Sequence, residues 1–515
     1  MKMLRSIVLL SVISLAGCTK NFDEINTNPN APAVISNPGL LLPDAMRGAI
    51  NANYSGAYDR GGIVANLLAS DYASNFSNWS RSDANGYFLW NNYNYIRDLN
   101  EVIKLSEAQG LNNYKGVALV LRSWMFQCLT DLYGPIPFRQ ASNAKLGGIN
   151  TPVYEQQDVI YKGLLTDLEE ANNLLGSSAE TMVGDILYGS DVTKWKKFAN
   201  GLALRILLRQ SKRVDPSAGM KNIAEHPEKY PLFSSNKEQA ALQYITERTA
   251  NESPFYRSNN SSTDTKASKQ LVDYLTSMND TRLRVYAQPT PASSAPDANG
   301  VRPDPSAFQY AGDLNGIGRF PDANLTSSPG PFWASLQANP TLASATAGQG
   351  ILLSYSEVQF TLAEAAELGY ITGGSAAAAV YYKNGIADQF AYYADRIPSG
   401  YATTYIKLSA ADVFANDDYY AQSGVVYSGT TTEKLDKIWL QKWISLYMVG
   451  YEAWSEWRRT GFPVIPIGTT GPGYIPRRVL YPADEMRVNK VNYDAAVLLL
   501  DKGDALDSRV WWDKL

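Results

Sequence analysis

The sequence runs to 515 residues with 45% hydrophobic and 19% charged side chains, a balance that suits one large folded domain or a few ordinary ones and excludes wholesale disorder. A formal net charge of −4 gives no global attraction to nucleic acid or to an anionic lipid surface, so neither is expected as a partner. Two cysteines and one histidine leave little material for thiolate or imidazole chemistry, whereas 33 Tyr and 11 Trp supply rigid aromatics for cores and ligand faces alike.

The chain opens with Lys2 and Arg5, followed by an apolar run from Ile7 to Leu15. That run is roughly half of the ~20 residues a bilayer-spanning helix needs, so it reads as a leader and not a permanent span. Leu15-Ala16-Gly17-Cys18 then forms a lipobox. Residues 1–17 are expected to be removed as a signal peptide, leaving Cys18 as a lipidated N-terminus. Its diacylglycerol and amide-linked acyl chains would hold the protein in a membrane, where a single chain would hold only marginally. Cys128 is then left without a disulfide partner. Residues 19–38 are rich in Asn and Pro and read, with Cys18, as a flexible tether that reaches at most ~65 Å when extended. No linker separates two self-contained cores downstream, so 39–515 reads as a single domain.

The body of the chain is predicted to be mainly α. Leu121, Trp124, Met125, Cys128, Leu129 and Leu132 make one apolar stripe and predict a helix over 118–133, stopped by Gly134-Pro135. The Pro135-Ile136-Pro137-Phe138 run must be extended. A second helix is predicted over about 156–175, and a third over about 192–212 with Ser190 or Asp191 as its cap. Nine of the 26 prolines then fall between Pro289 and Pro340, a density that excludes long helices and central strands. Residues 250–350 are therefore expected to form a loop-rich excursion, the kind of segment that carries function. Helical pattern resumes over 354–369 and 376–392, and a last long helix is expected over 433–459. Helix pairs of this length suit a tetratricopeptide-like helical-repeat scaffold with long irregular loops, although the strict 34-residue consensus is absent.

Candidate chemistry is sparse. His226 stands alone in Glu225-His226-Pro227, so no His-pair zinc site and no serine triad with a choice of base is available. Asp297-Ala298-Asn299-Gly300 lacks the remaining ligands of a calcium loop and reads as a turn. No metal and no cofactor is expected. Glu364, Glu367, Glu452 and Glu456 are the carboxylates a glycosidase would need by type. Glu452 and Glu456 sit four apart before Arg458 and Arg459, and the preferred reading is an ion-paired helix face.

Several stretches together resemble the SusD/RagB family of surface lipoproteins, and its SusD-like branch in particular. They are Leu121-Arg122-Ser123-Trp124 through Asp131-Leu132-Tyr133-Gly134-Pro135-Ile136-Pro137-Phe138, and Trp195-Lys196-Lys197-Phe198-Ala199-Asn200 with Leu204-Arg205. Gly201 stands where the family usually has Ser. Tyr355-Ser356-Glu357-Val358 with Leu362-Ala363-Glu364-Ala365 follows, then Glu452-Ala453-Trp454, Arg458-Arg459-Thr460-Gly461, Ile475-Pro476-Arg477-Arg478 and Tyr481-Pro482. The resemblance covers about 85–515. It implies a helical lid on a SusC-like TonB-dependent outer-membrane transporter, anchored in outer-membrane lipid and facing the cell exterior. Its expected ligand is an oligosaccharide or a peptide, and it is not expected to be an enzyme.

The ligand face is expected in loops, where an aromatic ring for sugar C–H faces stands beside short polar groups. Tyr72, Phe76, Asn78, Trp79, Arg81 and Asp83 lie in a polar stretch without helical period, with Trp79 as the proposed platform. Tyr310, Phe320 and Trp333 are added from the excursion. Two alternatives of other classes stand beside this reading: a helical surface glycoside hydrolase, and a helical-repeat scaffold that binds another protein.

Overall fold

The structure, a computed structural model, describes residues 36–514 apart from 75, 77, 78 and 259–263. The expected leader, Cys18, most of the tether and Asn78 thus lie outside the described residues. Within the span assigned to the tether, Ser36 already accepts a hydrogen bond from Gln109, and Asn37 caps a short turn over Pro38–Leu40.

Helix α1 (Leu42–Gly56) comes first, burying Leu42, Ala45, Met46, Ala49 and Ile50. Helices α2 (Asn92–Gln109) and α3 (Asn112–Tyr133) form a hairpin across Gly110, whose φ of +69° is the left-handed helix ending that glycine adopts without Cβ strain. α3 extends further toward its N-terminus than its strongest stripe, and it is buried almost throughout because α1, α2 and the next helix pair all pack on it. It stops at Gly134. Ile136–Pro137 (β1) then runs extended and pairs antiparallel with Tyr154–Glu155 (β2). Helices α4 (Gln157–Leu174) and α5 (Val192–Arg209) make the second pair. Asp191 is the cap of α5, its carboxylate accepting the N–H groups of Thr193 at 3.0 Å and Lys194 at 3.1 Å.

The excursion follows, preceded by Ala240–Gln243 (β3) and containing Thr265–Ala267 (β4) and α6 (Lys269–Ser277). Its proline-rich middle forms only short turns, and Asp297 closes one of them by accepting from Asn299 and Val301. The excursion is tied down at both ends. β4 pairs antiparallel with Leu68–Ser70 (β5 hereafter), and Gln349–Leu353 (β6) pairs with β3. Helices α7 (Tyr355–Glu367) and α8 (Gly374–Ala394) form the third pair, α9 (Thr431–Ser445) and α10 (Gly450–Thr460) the fourth. α3 packs on α4 and α5, α5 on α7, and α7 on α9, so the pairs stack as a tetratricopeptide-like scaffold.

One expectation fails here. The helix predicted over 433–459 is two helices, broken at Met448, whose φ is +66°. The physical reason is a close approach: the backbone of Gly450 lies against Gly61 and Gly62, leaving no room for a Cβ, and a continuous helix could not reach that position. Gly201 has a similar role on α5. A Cβ there would stand 2.7 Å from Leu353 and 3.2 Å from Val358, so the missing side chain lets α5 seat against β6 and α7. The buried side chains form one dominant cluster, running from Leu42 to Trp512 and including Trp124, Trp195 and Trp454.

Candidate functional site

The carboxylates that would serve a hydrolase are held in the scaffold. Arg205 donates to both oxygens of Glu357 at 2.6 and 2.7 Å, and Arg459 donates to Glu364 at 2.6 and 2.7 Å and to Glu456 at 2.7 Å. Lys442 pairs with Glu456 at 2.9 Å, and Arg209 pairs with Asp131 at 2.9 Å and also with Glu452. Burial alone would push the Glu456 carboxyl up, but the charges of Arg459, Lys442 and Arg209 outweigh it and hold it well below the usual range. A carboxylate kept ionised by three cations has no proton to donate at neutral pH. The ion-paired reading therefore holds, with Arg459 pairing Glu456 within α10, but further partners come from α5, α7 and α9 and its place is the core. Glu367 is engaged separately by Ser375, Tyr427 and Lys434.

The residues proposed for the ligand face divide sharply. Trp79 is 3% exposed. Its indole N–H donates to the Ala73 carbonyl at 3.2 Å, and its ring is packed by Phe76, Phe88 and Trp454 at 5.4, 4.8 and 6.0 Å between centroids. With its neighbours so placed it is a core residue, and the platform expectation is corrected. The sequence misleads here because a loop can bury an aromatic without helical periodicity. Half-buried Phe76 packs edge-on against Trp79. Arg81 is spent on an ion pair with Asp504 and on the Tyr481 carbonyl at 3.0 Å, while Asp83 accepts the Ser80 N–H at 3.0 Å. Phe320 and Trp333 are buried as well, and the Trp333 indole donates to the Tyr54 hydroxyl at 2.6 Å. Tyr310 is half-buried against the satellite cluster of Ala267, Val272 and Ala287. Among the described candidates only Tyr72, 63% exposed, presents a large open ring.

Two residues before Tyr72, at Ser70, several loops converge. Asn315 accepts the Ser70 N–H at 3.1 Å and donates to the carbonyls of Ile63 and Leu68 and to the Asn66 side chain. The excursion is thereby stitched onto the β4–β5 ribbon. Gly316 and Gly468 touch backbone to backbone, and the Thr470 N–H donates to the Gly316 carbonyl at 2.7 Å. A pocket of ≈ 410 Å³ opens beside this seam, lined by Asn66, Lys269, Gln270, Tyr274, Asp313 and Pro466 among others. Exposed Leu314 lines it, and exposed Val464 and Ile467 flank its wall residue Pro466 in the chain. These residues were not singled out from the sequence. The available signal was the stretch from Phe462 to Pro476, which contains no charged side chain although it lies in a loop. A separate groove of ≈ 950 Å³ runs along α4 and α5 to Trp511, on the scaffold and away from this seam.

Among the described residues no three His, Cys, Asp or Glu side chains come together as a metal site. No described helix is long and apolar enough to cross a membrane.

Residues 29–482 match the profile of a SusD-like family described as starch-binding and associating with the outer membrane. The chain belongs to the SusD-like family. Solved structures agree with it. A SusD homologue from Bacteroides fragilis superposes with a TM-score of 0.76 at 23% identity, covering 93% of this chain and 99% of that one. A Bacteroides vulgatus outer-membrane protein, provisionally assigned to nutrient binding, gives 0.77 at 26% identity, with 93% and 100% covered. A chitin-binding protein gives 0.73 at 27% identity, with the same coverage. Comparison with curated proteins gives no match. The SusD-like chain is thus placed among nutrient-binding proteins of the outer membrane, with its motif residues in the helical stack and its loops at the seam.

Proposed function

We propose that this protein is a non-catalytic capture lipoprotein, anchored through Cys18 and facing the cell exterior, which binds a glycan and passes it to a SusC-like TonB-dependent transporter. The family match over 29–482 carries the reading. The chitin-binding relative, at 27% identity over its whole length, makes β-1,4-linked N-acetylglucosamine oligomers the first ligands to test. Two features of the molecule support capture without turnover: Glu364, Glu452 and Glu456 are all buried in ion pairs, and the loops carry both an open aromatic, Tyr72, and a separate pocket of ≈ 410 Å³. Residues 1–17 serve as leader and 18–35 as tether in this reading.

Fractionation tests the anchored half of the proposal. Wild type should partition into detergent with the outer membrane and bring down a barrel protein after gentle solubilisation, while Cys18→Ser should be released. Detergent partitioning of Cys18→Ser like wild type, or repeated recovery of the lipoprotein alone with a barrel expressed, would contradict it.

A further inference from the structure

The pocket beside the seam contains a carboxylate that the fold leaves incomplete. Asp313 is 6% exposed, and one of its oxygens accepts the neighbouring Leu314 N–H at 2.9 Å while the other, Oδ2, has no hydrogen-bond partner. A buried, unpaired carboxylate oxygen costs stability unless a donor, best a cation, reaches it. The nearby lysines are already engaged. Lys266 donates to the Ala323 carbonyl at 3.0 Å, and Lys269 pairs with Asp273 at 2.6 Å. The amides on the pocket wall are engaged too, since Asn66 donates to Gln270 at 2.6 Å and Gln270 to the Val464 carbonyl at 2.9 Å. The acceptor that this network leaves open is Asp313 Oδ2, with the ring of Tyr274 in the pocket wall.

Two further carboxylates, Asp71 and Asp264, lie nearby, alongside the cations Lys266 and Arg319. The ladder ends where Ser70 pairs with Thr265, and just past that end the charge of Asp264 acts on Asp71. The Asp71 carboxyl is raised by burial and then by Asp264, with Asp313 adding to the effect and a backbone N–H and Arg319 opposing it.

We propose that this pocket is a subsite for a protonated primary amine of the ligand, seated on Asp313 beside Tyr274. The inference rests on the capture reading and narrows its ligand class to molecules that carry an ammonium group. A charge-assisted hydrogen bond completes the buried carboxylate, and an aromatic wall adds attraction for the cation. An amino sugar with a free amine and a peptide with a lysine or free N-terminus share this chemistry.

Isothermal titration at pH 6 with three probes separates the sources: glucosamine tetramer, its fully N-acetylated counterpart, and tetralysine. An ammonium-bearing probe should bind about tenfold or more tightly than the N-acetylated tetramer. Asp313→Asn, nearly identical in shape, should abolish that preference while leaving N-acetylated binding unchanged and melting no lower than in wild type. Binding of the N-acetylated tetramer with no amine preference overturns the inference and leaves capture standing. Binding of tetralysine alone supports the inference and overturns the glycan reading, and binding of none overturns both. A preference that survives in Asp313→Asn means the orphaned oxygen serves only an internal water.

Discussion

The helical stack and the loop seam are built by opposite rules. In the stack, charged side chains are buried and every one of the motif carboxylates meets a cation: Glu357 meets Arg205, Glu364 meets Arg459, and Glu456 meets Lys442. At the seam, the side chains that tie the loops together are neutral amides, Asn66, Gln270 and Asn315, and large apolar residues such as Leu314, Val464 and Ile467 are exposed. Buried ion pairs fix geometry because breaking one strands a charge. Amide networks can be rearranged around different loop sequences at less cost. The difference explains why the recognisable motifs of the chain are scaffold, and why they say little about what the loops bind.

Substitutions in the two regions should differ most where a buried charge loses its partner. Arg205→Ala leaves Glu357 stranded and should cost about 3–5 kcal/mol in denaturant melts, with no specific effect on affinity per folded molecule. Trp79→Ala should behave as a scaffold change although it lies in a loop, lowering stability by about 3–5 kcal/mol. A nearly unchanged melting curve for Trp79→Ala would restore the platform reading.

Asp388 on α8 sharpens the comparison, because here the scaffold buries a carboxylate without a cation. It is 8% exposed, its Oδ2 has no partner, and burial pushes its carboxyl up to about 7, with Asp395 adding and an Asn236 N–H opposing. A raised carboxyl disfavours the ionised folded state, so its cost is full above about pH 7, shrinks as pH falls, and vanishes below the unfolded value near 4. Asp388→Asn should therefore stabilise the protein at pH 8 by up to about 4 kcal/mol, and the gain should disappear by about pH 4. A gain that is the same at both pH values would mean that the substitution acts through packing. The smallest effect on stability is expected at Tyr72→Ala, within about 0.5 kcal/mol, with ligand affinity falling by about 1–3 kcal/mol on the scale of ring stacking.

Most of the helical architecture was legible because apolar periodicity and helix punctuation are local signals. The stripe from Leu121 to Leu132 ends at Gly134-Pro135 as α3 does, and Asp191 caps α5. The break at Met448 was not legible, because it depends on Gly450 meeting Gly61 and Gly62 from a remote part of the chain. The site was less legible still. Trp79, Phe320 and Trp333 have the composition of a ligand face, yet their burial is decided by partners such as Trp454 and Tyr54 far away in sequence. Asn315 and the run from Val464 to Ile467, which meet beside the pocket, carry no motif at all.

Capture without turnover is decided by a single incubation. Purified protein and chitotetraose are brought to equilibrium, binding is measured by titration, and the oligosaccharide is then recovered and sized. Binding should be saturable and weakened in Tyr72→Ala, with the tetramer recovered intact after prolonged incubation. Shorter oligomers accumulating with time in proportion to protein would contradict it and place a hydrolytic centre on this chain.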